Sequence, residues 1–414
     1  GRLDLAGRPC PHIVFSPLRP VDPDELVEQL LATHDPITTD TVTFRGAQFD
    51  LGLAWVHLPE GCGGLGLAPS VQRRVDERLR DAGAPPAGAG LGMGVVLAGP
   101  TLAVHAGEAL RDRLQRRAFT GEDLWCQLFS EPGSGSDMAG LAARAERDGD
   151  EWVVTGQKVW NTNAHLADRG MLIARTDPGL PKHRGITYLA LDMHAPGVEV
   201  RPLRQITGKA EFSEVYLTDV RIPDADRIGD VGEGWRVAMT TLANERTSIG
   251  GGGGGRKGPG TGAIAEAVRI LREEAVVPGV VERDRVMQRW IEAETLRLTN
   301  ARAGANRRAG TPGPEGSIAT LAFGTQHQDV YELCVDLLGA AATVEADYAY
   351  RREDHVGYVG APGSSREMFL RARANSIEGG TTEIQRNIVG ERVLGLPGEP
   401  RTDRDVPWSD VPRS

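Results

Sequence analysis

The spacing of apolar residues divides the 414-residue chain into three consecutive regimes. Between residues 22 and 118 apolar positions recur at helical spacing. Asp22-Pro-Asp-Glu sets a helix start, a carboxylate cap with proline at the first helical position, ahead of Leu26, Val27, Leu30 and Leu31. Helix-like stretches follow at 69–82 and 102–118, separated by the Gly/Ala/Pro-rich 83–100. The period then changes to two. Trp152-Val-Val, Met171-Leu-Ile, Ile186 to Leu191, Val198 to Arg201 and Val215 to Val220 read as strands with turn residues between them, which predicts a β-barrel or sandwich. From Gly232 to about residue 394 the helical period returns. Such segregation predicts an α+β chain of successive domains rather than βαβ alternation.

The boundaries that follow are an irregular N-terminal arm over 1–20, a helical domain over 21–122, a β-domain over 123–228, a helical bundle over 229–396 and an extended tail over 397–414. Two biased stretches interrupt the last third. Gly250–Gly255 is followed by Arg256-Lys-Gly-Pro-Gly-Thr-Gly262, but no strand precedes it, so it reads as a break between helices and not as a nucleotide loop. Gly357–Ser365 reads as a turn-rich insert.

Charge and cysteine content narrow the function. With 57 acidic against 47 basic residues, nucleic acid is excluded as the main partner, while a local basic pocket is not. Cys10, Cys62, Cys126 and Cys334 lie far apart with no C-x-x-C pair, so neither a disulfide framework nor a metal site is expected. No apolar run reaches the length of a membrane span and the start lacks a leader's hydrophobic region, so the expectation is a cytoplasmic protein without membrane insertion.

Candidate chemistry concentrates at 125–163. The apolar run Trp125, Leu128, Phe129 breaks at Pro132 into Gly133-Ser-Gly-Ser136, where alternate glycines free the backbone and hydroxyls stand ready for a phosphate. After a strand pair, Trp160 and Thr162 stand two apart on a strand and share a face, a flat ring beside a hydroxyl. By themselves these read more simply as a turn and a core tryptophan.

Together, Ser130-Glu-Pro-Gly-Ser-Gly-Ser-Asp137 and Gly156-Gln-Lys-Val-Trp-Asn-Thr-Asn163 resemble the flavin-binding middle domain of acyl-CoA dehydrogenases. The resemblance continues through Lys182-His-Arg-Gly-Ile-Thr-Tyr188, Pro196-Gly-Val198, Val220-Arg-Ile-Pro223 and Gly379-Gly-Thr-Thr-Glu-Ile-Gln-Arg386, in order over roughly 40–400. It implies an N-terminal α-helical domain, a central β-barrel and a C-terminal four-helix bundle, with FAD as cofactor. It also implies an acyl-CoA or acyl-carrier-protein thioester as substrate and electron-transfer flavoprotein as electron acceptor. The assembly it implies is a homo-dimer or homo-tetramer, with a hetero-oligomer as the alternative.

The reaction implied removes a proton next to a thioester carbonyl and passes hydride from the neighbouring carbon to flavin N5, so a carboxylate must stand over the flavin. The family carries it at either of two places. The commoner slot, before Gly-Thr in the C-terminal motif, is Gly379 here, and Glu378 is one residue out of register. The other lies on the first helix after the barrel, in the pattern E-R, matched by Glu245-Arg246. On a helical projection from Trp235, Met239, Leu242 and Ile249 fall within about 40°, Glu245 lies about 80° round at the edge of the stripe, and Arg246 falls inside it. A structural ion pair is the competing reading.

By the same resemblance Glu245 is the base, Arg246 supports it, and the Gly379 N–H polarises the thioester carbonyl. Phe129 and Ser130 meet the flavin ring, Trp160 packs on it, Thr162 reaches N5, Ser136 touches a phosphate, and Thr381 and Glu383 lie along the cofactor. His165 is a minor further candidate. Two family motifs that reach a neighbouring subunit's cofactor are altered. R-x-x-F-G is missing around 276–285, and Q-x-x-G-G reads Asp336-Leu-Leu-Gly-Ala340. A flavin monooxygenase, an acyl-CoA oxidase and a non-catalytic subunit of a heteromeric dehydrogenase are the rival readings.

Overall fold

A computed structural model describes residues 22–85, 92–251, 258–273, 279–309, 313, 315–344, 363–400 and 402–412, without the side chains of 246–251, 273, 307–308 and 315. The arm expected at 1–20 lies outside the described residues, as do most of the hexaglycine run and most of the insert at 357–365. The chain falls into two compact units, Gly1–Pro86 and Ala87–Ser414.

In the first unit, α1 (Pro23–Thr33), α2 (Thr41–Asp50) and α3 (Ser70–Asp81) enclose Val27, Leu30, Phe44, Leu53, Val56, Val75 and Leu79. The Asp22 carboxylate accepts the Asp24 N–H at 3.0 Å, so the cap legible in Asp22-Pro does start α1. The glycine-rich 59–66 is a packing device. A Cβ at Gly64 would stand 2.1 Å from the Leu58 carbonyl oxygen.

The second unit opens with a π-helical turn at Gly94–Ala98, then α4 (Gly99–His105) and α5 (Glu108–Thr120). The single helix expected over 102–118 is therefore two, parted where Ala106 takes extended backbone ahead of Gly107. The strands are β1 (Trp125–Leu128), β2 (Arg144–Asp148), β3 (Glu151–Thr162), β4 (Arg169–Arg175), β5 (Ile186–Asp192), β6 (Val198–Pro202) and β7 (Phe212–Pro223). They form one curled sheet in the order β1-β4-β2-β3-β7-β6, with β5 also on β4. β1 and β2 run parallel to β4, and the other pairs are antiparallel.

Period-two alternation decides which residue meets which core. Leu128, Leu172, Ala174, Leu189, Leu191, Val215 and Leu217 fill the core inside the curl. Their neighbours Trp125, Met171, Ile173, Ile186, Tyr188 and Ala190 face the other way, into a core shared with Leu102, Leu110, Leu114, Ala118 and Val237. That shared core is why the compact division falls at Pro86/Ala87 and not near 122, where helix gives way to strand.

After β7 come α6 (Gly234–Gly251), α7 (Ala263–Glu273), α8 (Val280–Arg308) and α9 (Glu315–Leu338), then the short α10 (Ser365–Arg371) and α11 (Thr382–Arg392). Ile264, Ala267, Ile270, Val286, Val330 and Leu333 make the bundle core.

The extended tail expected over 397–414 is anchored to the second unit. Trp408 is buried, donates its indole N–H to the Gly140 carbonyl at 3.2 Å and stacks with the Arg175 guanidinium at 4.7 Å. Lys182 bridges Asp137 and Asp403 at 2.9 and 2.6 Å, which ties the same segment to the end of the Gly-Ser-Gly-Ser loop.

At the turn from β7 into α6, Asp224 accepts from the Trp152 indole at 2.8 Å and from Arg227 at 2.9 Å. The Arg227 hydrogen bond above all holds the Asp224 carboxyl down at about 2. A depressed carboxyl stabilises the fold above its unfolded pKa and loses that effect as pH falls through the folded value. Asp224→Asn should therefore cost about 1 kcal/mol at neutral pH after solvent screening. In urea unfolding followed against pH, that gap should close as pH drops from about 4 towards 2; a pH-independent gap would contradict the assignment.

Candidate functional site

Two segments far apart in sequence are locked together by a buried charge pair. Lys158, on β3, is fully buried and donates to Glu131 Oε1 at 2.7 Å and to the Phe129 carbonyl at 3.1 Å. Burial pushes the Lys158 ammonium down from its usual range, against the pull of Glu131. Glu131 also accepts the backbone N–H groups of Ala142 and Ala143. The Val159 N–H donates to the Ser130 carbonyl at 2.9 Å, and the Asn161 amide donates to the Gln127 carbonyl at 2.8 Å. The end of β3 thus lies along the exit of β1 and the loop that follows.

A β-bulge then re-aims β3. Against β7, Lys158 pairs with Val215 and Asn161 with Ser213, so β3 carries one extra residue between them. Before the bulge the even-numbered Trp152, Val154 and Lys158 are buried; after it Asn161 is buried and Trp160 is 58% exposed. Plain alternation would have sent Trp160 into the sheet's own core; the bulge turns it out instead, while Thr162 two residues on is half-buried. Trp160 has φ 62° and Asn163 φ 53°, left-handed backbone that costs a non-glycine residue about 1–2 kcal/mol.

Phe129 turns its ring into the core, edge-on to Tyr188 at 5.8 Å, and its carbonyl is taken by Lys158. Ser130 is half-buried and Ser136 exposed. The hydroxyls of Ser130, Ser136 and Thr162 make no hydrogen bond among the described residues. Unengaged hydroxyls beside an exposed, strained tryptophan fit a planar, phosphate-bearing cofactor such as FAD.

On α6, Val237 and Thr241 are fully buried, and Glu245 is the next residue of that i, i+4 row. The projection from Trp235 is therefore off centre. Trp235, Met239 and Leu242 are only partly buried, and Glu245 at the end of the inner row is half-buried, as an edge position would be. The reason is that α6 packs against the sheet on one side and α4 and α9 on others, so no narrow stripe marks its core face. The half-buried Glu245 accepts from Gln127 Nε2 at 3.4 Å. It therefore stands at the β1–β3 junction, one hydrogen-bonded residue from Asn161. The side chain of Arg246 lies outside the described residues.

The Gly379 loop follows α10. Gly379 and Gly380 have φ of 66° and 95°, backbone that a glutamate at 379 would adopt only under strain. The buried Gln385 donates to the Gly379 carbonyl at 3.3 Å. Thr381 spends its hydroxyl capping α11 through the Ile384 N–H, and Glu383 is exposed, bonded to Thr382. Glu378 is gripped by Arg371 through 3.2 and 2.8 Å hydrogen bonds. Asp336, in the altered cross-subunit motif, pairs with Arg285 at 2.6 Å. Gln127, Lys158 with Glu131, and Arg371 were not singled out from sequence. Only the matched Glu and Lys of the two motifs hinted at one of them.

Two family models match, the acyl-CoA dehydrogenase middle domain over residues 126–220 and the acyl-CoA dehydrogenase C-terminal domain over 232–394. Acyl-CoA dehydrogenase IpdE1 of Mycobacterium tuberculosis is 36% identical over 351 residues, 84% of this chain and 86% of that protein. Cyclohexane-1-carbonyl-CoA dehydrogenase of Syntrophus aciditrophicus is 27% identical over 83% of this chain and 86% of its own length. The crystal structure of the ChsE4–ChsE5 complex from Mycobacterium tuberculosis superposes with TM-score 0.68 at 25% identity, covering 91% of this chain and 98% of that one.

If the Lys158–Glu131 pair holds the two segments, Lys158→Met strands a buried carboxylate and should cost about 3–5 kcal/mol in urea unfolding. Adding Glu131→Gln should restore part of that loss. A single variant within about 1 kcal/mol of the parent would show that the pair holds nothing.

Proposed function

The chain belongs to the acyl-CoA dehydrogenase family of flavoprotein oxidoreductases, and from that premise we propose the division of labour within its site. Glu245 takes the proton from the carbon next to the thioester carbonyl of an acyl-CoA, or of the same acyl group on a carrier protein. When bound, FAD supplies the two-electron acceptor, and electron-transfer flavoprotein is the next carrier. Ser130 and Thr162 would hold the ring edge, Trp160 its face and Ser136 a phosphate, with the Phe129 backbone, Thr381 and Glu383 along the cofactor. The Gly379 N–H would donate to the thioester oxygen, where negative charge grows as the proton leaves. Arg246 would orient the base.

The observation that carries this reading is the Glu245–Gln127 contact. It sets a carboxylate on a helix against the junction that displays Trp160 and Thr162. Glu378, the rival carboxylate, is occupied by Arg371. The acyl group favoured is branched or cyclic. The placement of the base on the first bundle helix supports this, as does the likeness to a dehydrogenase named for a cyclohexane-carbonyl thioester. A hetero-oligomer is favoured over a homo-oligomer, because Asp336, paired with Arg285, puts a carboxylate where the family's Q-x-x-G-G motif has a neutral glutamine. The likeness to a two-component complex agrees with that choice.

Anaerobic titration of the flavin-loaded protein with straight-chain, branched and cyclic acyl-CoA thioesters, followed by bleaching of the flavin band, tests this. Glu245→Gln should slow bleaching by about 100-fold or more, as loss of a general base does. Glu378→Gln should still bleach, more slowly than the parent. Full bleaching in Glu245→Gln removes the assignment.

A further inference from the structure

Glu378 stands beside the slot where other members of the family keep their base, yet here it is held as half of a latch. We propose that Arg371 is a positioning residue that sets the Gly379 loop in register with the outward face of β3, and so aims the backbone donor that polarises the thioester. The inference rests on the assignment of the Gly379 N–H made above.

The Arg371 side chain, only 10% exposed, ends α10 facing two acids. Its fork takes both Glu378 oxygens, at 3.2 and 2.8 Å, one residue before Gly379. Its Nε faces Glu211 at 3.8 Å, and Glu211 is 12% exposed. The guanidinium carbon lies 5.7 Å from the centre of the Phe212 ring. Every contact on this side leads to β3. The Glu211 carbonyl accepts the Asn163 N–H at 2.8 Å, Phe212 is the register partner of Thr162, and the Phe212 ring meets Trp160 edge-on at 5.9 Å. One planar cation thus touches both walls of the site. A bidentate guanidinium fixes angle as well as distance, which an ammonium in its place cannot do. It also neutralises Glu378, which would otherwise stand as an uncompensated charge beside a site meant to stabilise an oxyanion.

The test compares two coenzyme A ligands of equal chain length in the flavin-loaded, full-length protein. One is a 2-enoyl-CoA, which carries the thioester carbonyl; the other is the S-alkyl-CoA thioether, which lacks it. Binding is measured by equilibrium titration. The parent should prefer the thioester. In Arg371→Met that preference should shrink about tenfold, the worth of roughly one net hydrogen bond, with thioether affinity held within about twofold. Arg371→Lys should fall between, and it carries the test alone if the methionine variant does not fold. Equal losses for both ligands would reduce Arg371 to a structural role and overturn the proposal, as would an unchanged preference. If the parent itself showed no preference, the Gly379 assignment would fall, whatever Glu245→Gln had shown about the base.

Discussion

A lysine with no solvent at all is the constraint on which the site depends. Lys158 cannot be buried without a carboxylate, and Glu131 cannot satisfy it unless the loop after β1 folds back over β3. The loop is then pinned at both ends, by Lys158 on the Phe129 carbonyl and by Glu131 on the Ala142 and Ala143 amides. Between those anchors Gly133, Gly135 and Ser136 are left exposed, while Ser134 is buried and spends its hydroxyl on the Asp137 carbonyl. An apolar pair would pack as well, but it would not specify which carbonyl and which amides are held.

The bulge converts that anchoring into a surface. One additional residue in β3 exchanges inner and outer faces, so the strand begins by filling the core and ends by presenting a tryptophan. The backbone bears a positive φ at Trp160 to achieve this. A strained residue with its ring half in solvent gains little in packing. Its retention makes sense where something flat comes to rest on it.

Much of the architecture was legible because short apolar strands are set apart by turn residues and the Asp22 cap is local chemistry. The two motif segments were legible as a pair, and the Glu245-Arg246 pattern was legible on the helix that follows the last strand, α6. What failed did so for identifiable reasons. The projection from Trp235 assumed one buried stripe, whereas α6 is enclosed on several sides and Val237 and Thr241, less conspicuous residues, mark the innermost row. The break at Ala106 has no proline to announce it. The bulge at Trp160 adds a residue without a glycine, and Arg371 meets Glu211 across 160 positions that no local rule connects. In the tail, prolines and charges concealed a single anchoring indole.

That indole has a thermodynamic corollary. Trp408 and Asp403 clasp the segment that follows the serine loop, through the Gly140 carbonyl and through Lys182. Anything that quietens this loop when it settles there must strengthen the clasp by the same factor, because linkage is reciprocal. Residues 403–408 are thereby made a reporter of events at the serine loop they clasp, readable as slower amide exchange.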